Sequence, residues 1–490
     1  MMVQQWNRAD GPTKSFALLA LFTLTCVWAG VATQTYWPVL LPGLVFVFYQ
    51  AITDFRPLFY LLFFCIPLST EVYLPGGFGT DLPTEPLMIG LTGIFLFHAA
   101  RHGPRYPASF YAHPLALLLY LHITWILLTT LFSPGLLVSI KFSLAKLWYV
   151  AAFFLLPGLL IREPADVRKV VWIVFFPLLF VAFQSVLRHA TFGFSFADQY
   201  KTLSPFMRNH VAYAGILAVF APWLVYLMLD SKRGNWKRWA LYGVVIFWII
   251  AVYFSYTRAA YVSLLLSAGT FFVVRWRLMR YGLALAVVGA LVGIASLLRN
   301  NNYLEYAPNY ETTIAHERFD NLIEATYKLE DISTMERAYR WVAGSNMIPY
   351  RPWFGWGPGN FVNFYKGFTV SSFTTYVSDN PENSGIHSYF LMTLVEQGWP
   401  GLFILLVFLF AILLYGEWAY HRVKDPIRRA TIMAAVLSMV VIDAFLLIND
   451  MLETDKMGSF FFFNLAVIIL MSGRKETSQV QAGNPISQIG

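Results

Sequence analysis

Residues 281–298 read YGLALAVVGALVGIASLL, an apolar stretch that contains no charged side chain. A helix rises about 1.5 Å per residue, so a helix of this length crosses most of a hydrocarbon core about 30 Å thick. A much more polar stretch follows directly, over residues 299–398. This part of the chain therefore predicts a membrane-spanning helix followed by one large loop.

The whole composition supports a chain that is solvated by lipid. Of its 490 residues, 58% are hydrophobic and 13% are charged, and its mean hydropathy is +0.56. A soluble domain of this length cannot bury so much apolar surface. We predict an all-α polytopic membrane protein with about fourteen transmembrane helices. The predicted spans are residues 15–33, 37–53, 57–73, 86–100, 114–133, 143–161, 169–188, 209–229, 239–255, 258–275, 281–298, 399–417, 430–449 and 457–472.

Basic residues mark alternate connections between these spans. They occur at 101–105, 162–169, 232–238, 275–280, 422–429 and 474–475, whereas the opposite connections are mostly acidic or neutral. Because Lys and Arg are retained in the cytoplasm, both termini are predicted to be cytoplasmic. The net charge of +8 then reflects cytoplasmic loops against anionic membrane lipid, and nucleic acid is not a predicted partner.

The N-terminal region and the cysteines add two further expectations. The apolar run that begins at Ser15 follows Arg8 and Lys14 and superficially resembles a signal peptide. Its length, with more spans behind it, favours a first transmembrane helix. Cys26 and Cys65 both lie in apolar segments, so neither a disulfide framework nor a thiolate metal site is predicted.

The predicted domains are a transmembrane bundle of about eleven helices (1–298), a large, partly helical periplasmic loop domain (299–398), C-terminal transmembrane helices (399–472) and a disordered cytoplasmic tail (473–490). Within the loop, 300–303 are turn-like, 334–347 have helical spacing, and 352–359 cannot be helix interior. Residues 386–395 predict an amphipathic helix that leads into the next span.

Six ionisable residues fall at the outer membrane interface in this topology, and they form the candidate site. They are Arg208, His210, Arg258, Arg337, Arg340 and His387. Several guanidiniums at one interface suit a diphosphate, because each planar fork can hold two phosphate oxygens and stays charged. Arg258, between two apolar spans, is equally compatible with an interfacial anchor.

His387 stands at the start of a predicted helix, where a neutral imidazole could take a proton from a hydroxyl. A histidine there also serves commonly as a helix cap. Gly355, Gly357 and Gly359 could cradle phosphate, although glycines next to Trp and Pro commonly form turns. The sequence has no P-loop, no HExxH, no Cys/His metal spacing and no Asp-x-Asp pair, so no metal and no cofactor are predicted.

The order of these motifs resembles the O-antigen ligase and O-antigen polymerase superfamily. The resemblance covers roughly the second half of the chain, from Arg208 onward. It is carried by Asn209-His210, Tyr256-Thr257-Arg258-Ala259-Ala260, Arg337-x-x-x-Trp341, Pro352-x-Phe354-Gly355-x-Gly357-Pro358-Gly359-x-Phe361, His387-Ser388-Tyr389 and Glu396-Gln397-Gly398. It implies a membrane glycosyltransferase of GT-C-type architecture at the periplasmic face of the bacterial inner membrane, with an undecaprenyl-diphosphate glycan as donor.

Roles follow from the resemblance residue by residue. Arg258 and Arg337 would hold the diphosphate, and His387 would activate the acceptor hydroxyl, which makes these three the predicted catalytic residues. Arg208, His210, Arg340 and the three glycines are the predicted substrate-binding residues. Arg340 lies one turn after Arg337, so we expect both to contact phosphate. The hydroxyl would attack C1 with inversion, without ATP or metal.

The sequence does not identify the acceptor of the glycan. It is lipid A core for a ligase, another lipid-linked glycan for a polymerase, or a Ser or Thr for a protein-directed transferase. We favour a ligase, because the loop motif is complete. A transporter that binds polyprenyl diphosphate without reacting is the alternative from another class. Its charges are expected near the bilayer midplane, whereas here they fall at one interface.

Overall fold

The computed structural model describes residues 11–35, 37–74, 78–102, 107–231, 234–299, 332–374, 378–380 and 383–473. Two predicted segments, the turn at 300–303 and the C-terminal tail after 473, lie outside the described residues. The described residues up to Leu61 form one compact unit, and those from Leu62 to Gly473 form another. All of the site described below lies in the second unit.

The described chain is almost entirely helical, as predicted for an all-α membrane protein. The first helices are α1 (Gly11–Thr33), α2 (Trp37–Thr53), α3 (Arg56–Cys65) and α4 (Thr84–His102). Then follow α5 (Pro114–Leu131), α6 (Leu136–Leu160), α7 (Pro164–Thr191), α8 (His210–Asp230), α9 (Trp236–Tyr253), α10 (Arg258–Arg275) and α11 (Met279–Leu298). The last are α12 (Ile332–Met347), α13 (Tyr389–Arg422), α14 (Pro426–Ile448) and α15 (Asp455–Ser472). Short helical turns cover Ala108–Tyr111 and Phe361–Phe364, and a π-helical turn interrupts α6 at Ala151–Leu155.

Ten helices in the described ranges are long and apolar enough to cross a membrane. They correspond to the last ten predicted spans, so the predicted number of about fourteen is not confirmed. The first four predicted spans fold as helices α1 to α4, and α1, α2 and α4 lie within four residues of the predicted bounds. Helix α3 differs, because its ten residues reach only about 15 Å at 1.5 Å per residue.

The predicted span 57–73 is wrong at its C-terminal end. Helix α3 ends at Cys65, and strands β1 (Thr70–Leu74) and β2 (Phe78–Leu82) then pair antiparallel, with Glu71 opposite Asp81. Pro67 supplies no amide hydrogen to continue the helix. The polar and β-branched residues that follow it fit a strand better than a lipid-facing helix.

Helix α14 is the centre of the second unit and packs against α8, α10, α13 and α15. Polar side chains join these helices inside the bundle. Ser438 donates a hydrogen bond to the carbonyl of Val219 at 2.8 Å, Asn464 donates to Ser438 at 2.9 Å, and Trp223 donates to Asn464 at 3.2 Å. Small hydroxyl and amide side chains let spanning helices approach closely, and they stabilise the contact where apolar burial does not.

Helix α13 bends at Gly398, whose φ of 71° and ψ of −176° lie outside helical values. The predicted amphipathic segment 386–395 and the predicted span 399–417 are therefore the two arms of one kinked helix. The first arm begins at Tyr389, three residues later than predicted, because Ser388 caps it by accepting from the amide of Leu391. The bend positions the residues before α13 at one end of the bundle.

Candidate functional site

The site forms where the N-termini of α8, α10 and α13 lie at the same end of the bundle. Asn209 caps α8 by accepting from the amide of Ala212 at 2.8 Å. Thr257, just before α10, donates a hydrogen bond to the carbonyl of His210 at 3.3 Å. The chain reaches Thr257 through Tyr256, which has a left-handed φ of 50°. His210 and Arg258 are thus held at the starts of two adjoining helices.

Arg337, on the separate helix α12, lies within electrostatic reach of both histidines. Its charge acts on His210, as does the charge of Arg258. It also acts on His387, together with Arg340. Burial, with a further contribution from these two arginines, lowers the pKa of His387 to about 3. His387 is therefore a neutral imidazole at physiological pH, with Arg337 and Arg340 in its electrostatic environment.

The backbone of His387 has an unusual conformation that Asp450 stabilises. Its φ is 58°, in the left-handed region, which non-glycine residues occupy rarely and often at functional sites. The amide of His387 donates to the Asp450 carboxyl group, and the Nδ1 atom of the ring lies 3.9 Å from Asp450 Oδ1. A Cβ at Gly385 would lie 1.8 Å from Asp450 Oδ2. Residues 385–387 consequently fit against Asp450 only with glycine at 385.

The side chain of Arg340 is buried and makes its polar contacts with other residues of the protein. Its side chain is 7% exposed and pairs with Glu336 at 3.3 Å. It also donates to the carbonyl of Gly385 at 3.4 Å and to Asn380 at 3.5 Å. These contacts fasten the segment before His387 to α12. A direct contact between Arg340 and phosphate stays a prediction.

Arg208 lies in the connection between α7 and α8. Its Nε is 3.7 Å from a carboxylate oxygen of Glu71, and its side chain is 58% exposed. An exposed pair of this kind contributes little to stability, about 0–1 kcal/mol. Arg208 is thus available to solvent, and its predicted role in substrate binding stays a prediction.

The glycine segment, residues 352–359, packs against the bend of α13. The amides of Trp356 and Gly357 donate to the carbonyls of Val395 and Glu396, both at 2.9 Å, and the Trp399 amide donates to Pro352 at 2.9 Å. The Glu396 carboxyl group accepts from the amides of Gly359 at 2.8 Å and Phe361 at 2.9 Å.

All three glycines, Gly355, Gly357 and Gly359, have positive φ. A Cβ at Gly355 would lie 2.3 Å from the Glu396 backbone, and one at Gly357 would lie 2.1 Å from Ser133. These contacts show that the glycine segment, which was predicted to form a turn, packs closely against α13 and Ser133 next to α12. Substrate binding by the glycines stays a prediction.

A buried ion pair beside this site was not predicted from the sequence. Lys146, only 2% exposed, pairs with Glu453 at 2.5 Å. Tyr389, two residues after His387, donates to the same Glu453 carboxylate at 3.0 Å. A lysine inside the predicted span 143–161 was a usable signal, because a charge in an apolar helix needs a partner. Asp450 and Glu453 gave no comparable signal in their short connection.

A second polar cluster joins the β-hairpin to the start of α15. Asp455 accepts hydrogen bonds from Ser69 and, at 3.0 Å, from Thr84. Lys456 Nζ lies 3.2 Å from the same carboxylate. Burial and the nearby Asp455 raise the pKa of Asp81 to about 7. The hairpin is thus tied to the end of the bundle at which His387 lies.

A comparison with protein families gives one match. The family model described as O-antigen ligase matches residues 242–406, about a third of the chain. The match includes Arg258, Arg337 and His387 and excludes Arg208 and His210. No curated protein matches the chain. The resemblance to the O-antigen ligase and polymerase superfamily is confirmed over these residues.

Proposed function

We propose, from the O-antigen ligase domain in residues 242–406, that the protein transfers a glycan from an undecaprenyl-diphosphate donor to an acceptor hydroxyl. The observation that carries the proposal is the convergence of Arg258, His210, Arg337 and His387 at the ends of α8, α10, α12 and α13. Only tertiary folding brings these residues together, since His210 and His387 are separated by most of the second half of the chain.

The two arginines are assigned to the diphosphate. The charges of Arg258 and Arg337 both act on His210, which supports assigning the two arginines to one anionic ligand. A diphosphate diester carries about two negative charges, and forked guanidinium donors match its oxygens. The same donors stabilise the charge that develops as undecaprenyl diphosphate leaves.

His387 is assigned as the general base. The neutral imidazole takes the proton of the acceptor hydroxyl while that oxygen attacks C1 of the donor sugar. The bond between C1 and the phosphate oxygen breaks, and its electron pair leaves with undecaprenyl diphosphate. Attack opposite the leaving group inverts C1. Asp450, whose carboxyl group receives the His387 amide, is assigned as a positioning residue for this ring.

The structure of the loop supports its assignment as the outer domain of the enzyme. Helix α12 carries Arg337, and the glycine segment that follows it docks on α13 next to His387. The domain 299–398 would then lie at the periplasmic face of the inner membrane, between the bundle 1–298 and the helices 399–472. Both termini would be cytoplasmic, and membrane lipid would surround the bundle.

Lipid A core is the acceptor that we propose, which makes the protein a ligase. A polymerase would use another lipid-linked glycan as acceptor with the same site. Transfer to protein would use a Ser or Thr side chain. The acceptor therefore has to be identified by offering each class to the purified protein.

The test uses the full chain reconstituted in liposomes with an undecaprenyl-diphosphate glycan and each acceptor class. Arg337→Ala and His387→Ala should lower the rate of transfer by about a hundredfold or more, which is the usual contribution of a general base or an oxyanion donor. Arg422→Ala and His421→Ala are matched controls at the opposite end of α13, where Arg422 stacks on Trp418 at 4.6 Å.

Transfer at the normal rate in both site variants would overturn the assignment. Chelation with EDTA should leave the rate unchanged, and a dependence on added divalent metal would contradict the arginine mechanism. Movement of the labelled donor across the liposome without any transfer product would instead identify a transporter.

A further inference from the structure

Five aromatic side chains form a surface patch beside the candidate site, and the transfer reaction does not use them. We call this patch the aromatic rim; it consists of Phe132, Tyr350, Trp353, Phe354 and Trp399. Tyr350 is 70% exposed, Trp353 is 67% exposed and Trp399 is 53% exposed. Clustered exposed apolar side chains commonly mark a surface that contacts a membrane or another protein.

The aromatic rim lies at the level where two membrane-spanning helices end. Residues 399–422 of α13 reach about 36 Å at 1.5 Å per residue, enough to cross a hydrocarbon core about 30 Å thick. Trp399 therefore stands at one end of that span, and its amide donates to the carbonyl of Pro352 at 2.9 Å. Phe132 directly follows α5, which ends at Leu131. The glycine segment thus meets the bundle at the edge of the hydrocarbon core.

Phe354 extends past this level, alongside the last turns of α5. Its ring stacks on Phe132 with centroids 4.3 Å apart and on Trp125 with centroids 5.8 Å apart. Trp125 lies six residues before the end of α5, which is about 9 Å along the helix axis. Trp125 also donates to the carbonyl of Gln397 at 3.0 Å, just before the bend of α13. The residues around Trp353 are therefore packed against both spans at the depth of their last turns.

The residue types of the rim match the headgroup layer of a bilayer. Trp and Tyr gather there because their rings are apolar while the N–H and O–H groups stay hydrated. Arg351 lies between two rim residues in the chain, with its guanidinium 5.3 Å from the centre of the Trp356 ring. It also donates to the carbonyl of Phe132 at 3.2 Å. A cation at this level can pair with the phosphate of a lipid headgroup.

Lipid fits the rim better than a second copy of the chain does, because the rim is continuous with surfaces that face lipid. Leu131 at the end of α5 and Phe403, one turn after Trp399, are both largely exposed. Both side chains lie on spanning helices, so acyl chains cover them in a membrane. The same lipid layer reaches Trp399 and Phe132 without interruption.

We propose that the aromatic rim inserts into the headgroup layer of the membrane leaflet on the side of the candidate site. The glycine segment would then be seated in the membrane surface and not in the aqueous space above it. Insertion of the rim requires neither donor nor acceptor, so it holds whether or not the protein transfers a glycan.

The experiment measures the membrane depth of single positions in the full chain, in nanodiscs of phosphatidylethanolamine and phosphatidylglycerol. Cys26→Ala and Cys65→Ala first remove the two free cysteines, both buried. Trp353→Cys and Tyr350→Cys are then labelled, each in its own variant, with the fluorophore NBD. Both side chains are exposed, so neither substitution removes packing from the core, and each position tests the proposal separately.

Two further labelled variants set the depth scale. Phe403→Cys is the reference inside the span, about 6 Å beyond Trp399 along α13. Ser372→Cys is the matched control, because Ser372 is an exposed polar residue of the same loop domain. Quenching is measured with aqueous iodide and with lipids that carry a doxyl group either near the headgroup or near the middle of the acyl chain.

The label at both rim positions should lose most of its fluorescence to the doxyl group near the headgroup. The label at Phe403→Cys should lose more to the deeper doxyl group, and the label at Ser372→Cys should be quenched by iodide alone. The proposal is overturned if the rim positions behave like Ser372→Cys. It is equally overturned if they are shielded from iodide and from both doxyl lipids, which would identify the rim as a contact between two copies of the chain.

Arg337→Ala, added to Trp353→Cys, separates this proposal from the proposed function. The label should keep its depth, because Arg337 lies on α12 outside the rim. If the same variant also transfers glycan at the normal rate, the catalytic assignment fails while the insertion of the rim stands.

Discussion

The Nδ1 atom of His387 lies 3.9 Å from Oδ1 of Asp450, and the backbone amide of the same histidine donates to that carboxyl group. The carboxyl group of Asp450 thus lies beside both the left-handed backbone of His387 and its ring. Arg337 and Arg340 act on the ring as well. The imidazole of His387, the base in the proposed reaction, is therefore kept neutral by burial and by the two arginines.

Removal of Asp450 should lower the rate of transfer and leave donor binding intact. We expect kcat to fall by about ten- to a hundredfold in Asp450→Ala, since a misplaced base loses most of its contribution. Asp450→Asn should lose less, because its amide oxygen can still accept from the His387 backbone. The KM for the lipid-linked donor should not change in either variant.

Asp198→Asn is the control for this pair of variants, because Asp198 lies on the surface and pairs with Lys201. A rise in the donor KM without a fall in kcat would contradict the positioning role of Asp450.

The pH dependence of kcat should report the charge around His387. Burial and the two arginines lower the pKa of this residue, so the wild type should show no acid limb near pH 6.5. Arg337→Gln removes one positive charge, which makes the imidazolium form easier to reach and raises the pKa. Its residual kcat should therefore fall as pH decreases toward 5, whereas Arg337→Lys keeps the charge and should retain the flat profile.

Profiles of kcat measured between pH 5 and 8 for the three proteins decide this point. Identical profiles for the Gln and Lys variants would show that the charge of Arg337 does not act on the base.

Asp81 should make the protein less stable at alkaline pH. Its folded pKa of about 7 exceeds the ordinary value of an aspartate, so the folded state binds the proton more tightly than the unfolded state. Stability is then lost as pH rises from the ordinary value through about 7. Asp81→Asn removes this loss, so its Tm should exceed that of the wild type by a few degrees at pH 8.

The Tm difference between Asp81→Asn and the wild type at pH 5 is the internal control. At that pH the wild-type carboxyl group is largely protonated in the folded state, so the gain in Tm should be smaller than at pH 8. A difference between the two proteins that does not change with pH would contradict the assignment.

Gly398→Ala should disrupt the docking of the glycine segment on α13. A Cβ there would lie 2.3 Å from the carbonyl oxygen of Trp353, at a φ of 71° that disfavours alanine. Because the docked segment holds α12 beside His387, we expect transfer to fall at least tenfold and the Tm to decrease. Gly367→Ala is the matched control in the same domain, since nothing lies within 4 Å of its Cβ.

The spanning helices after residue 113 were largely predictable, because each needs only an uninterrupted apolar stretch of sufficient length. Of the first four predicted spans only 57–73 differs from the structure, since the length of an apolar run does not reveal where a helix ends. At Cys65 the run continues in sequence, but Pro67 and the hairpin with Asp81 end the helix. Strand pairing is a contact between distant residues, and local hydropathy does not report it.

The sequence by itself determined the all-α membrane class, the polar loop region and the types of residue available for chemistry, because hydropathy and motif order are local properties. Only the tertiary structure decided which of those residues meet. It brought Arg337 within electrostatic reach of His210 and His387, placed Arg340 in internal contacts with Glu336, and placed Asp450 beside His387. These relationships depend on how helices that are distant in sequence pack at one end of the bundle, where side-chain packing and hydrogen bonding set the positions.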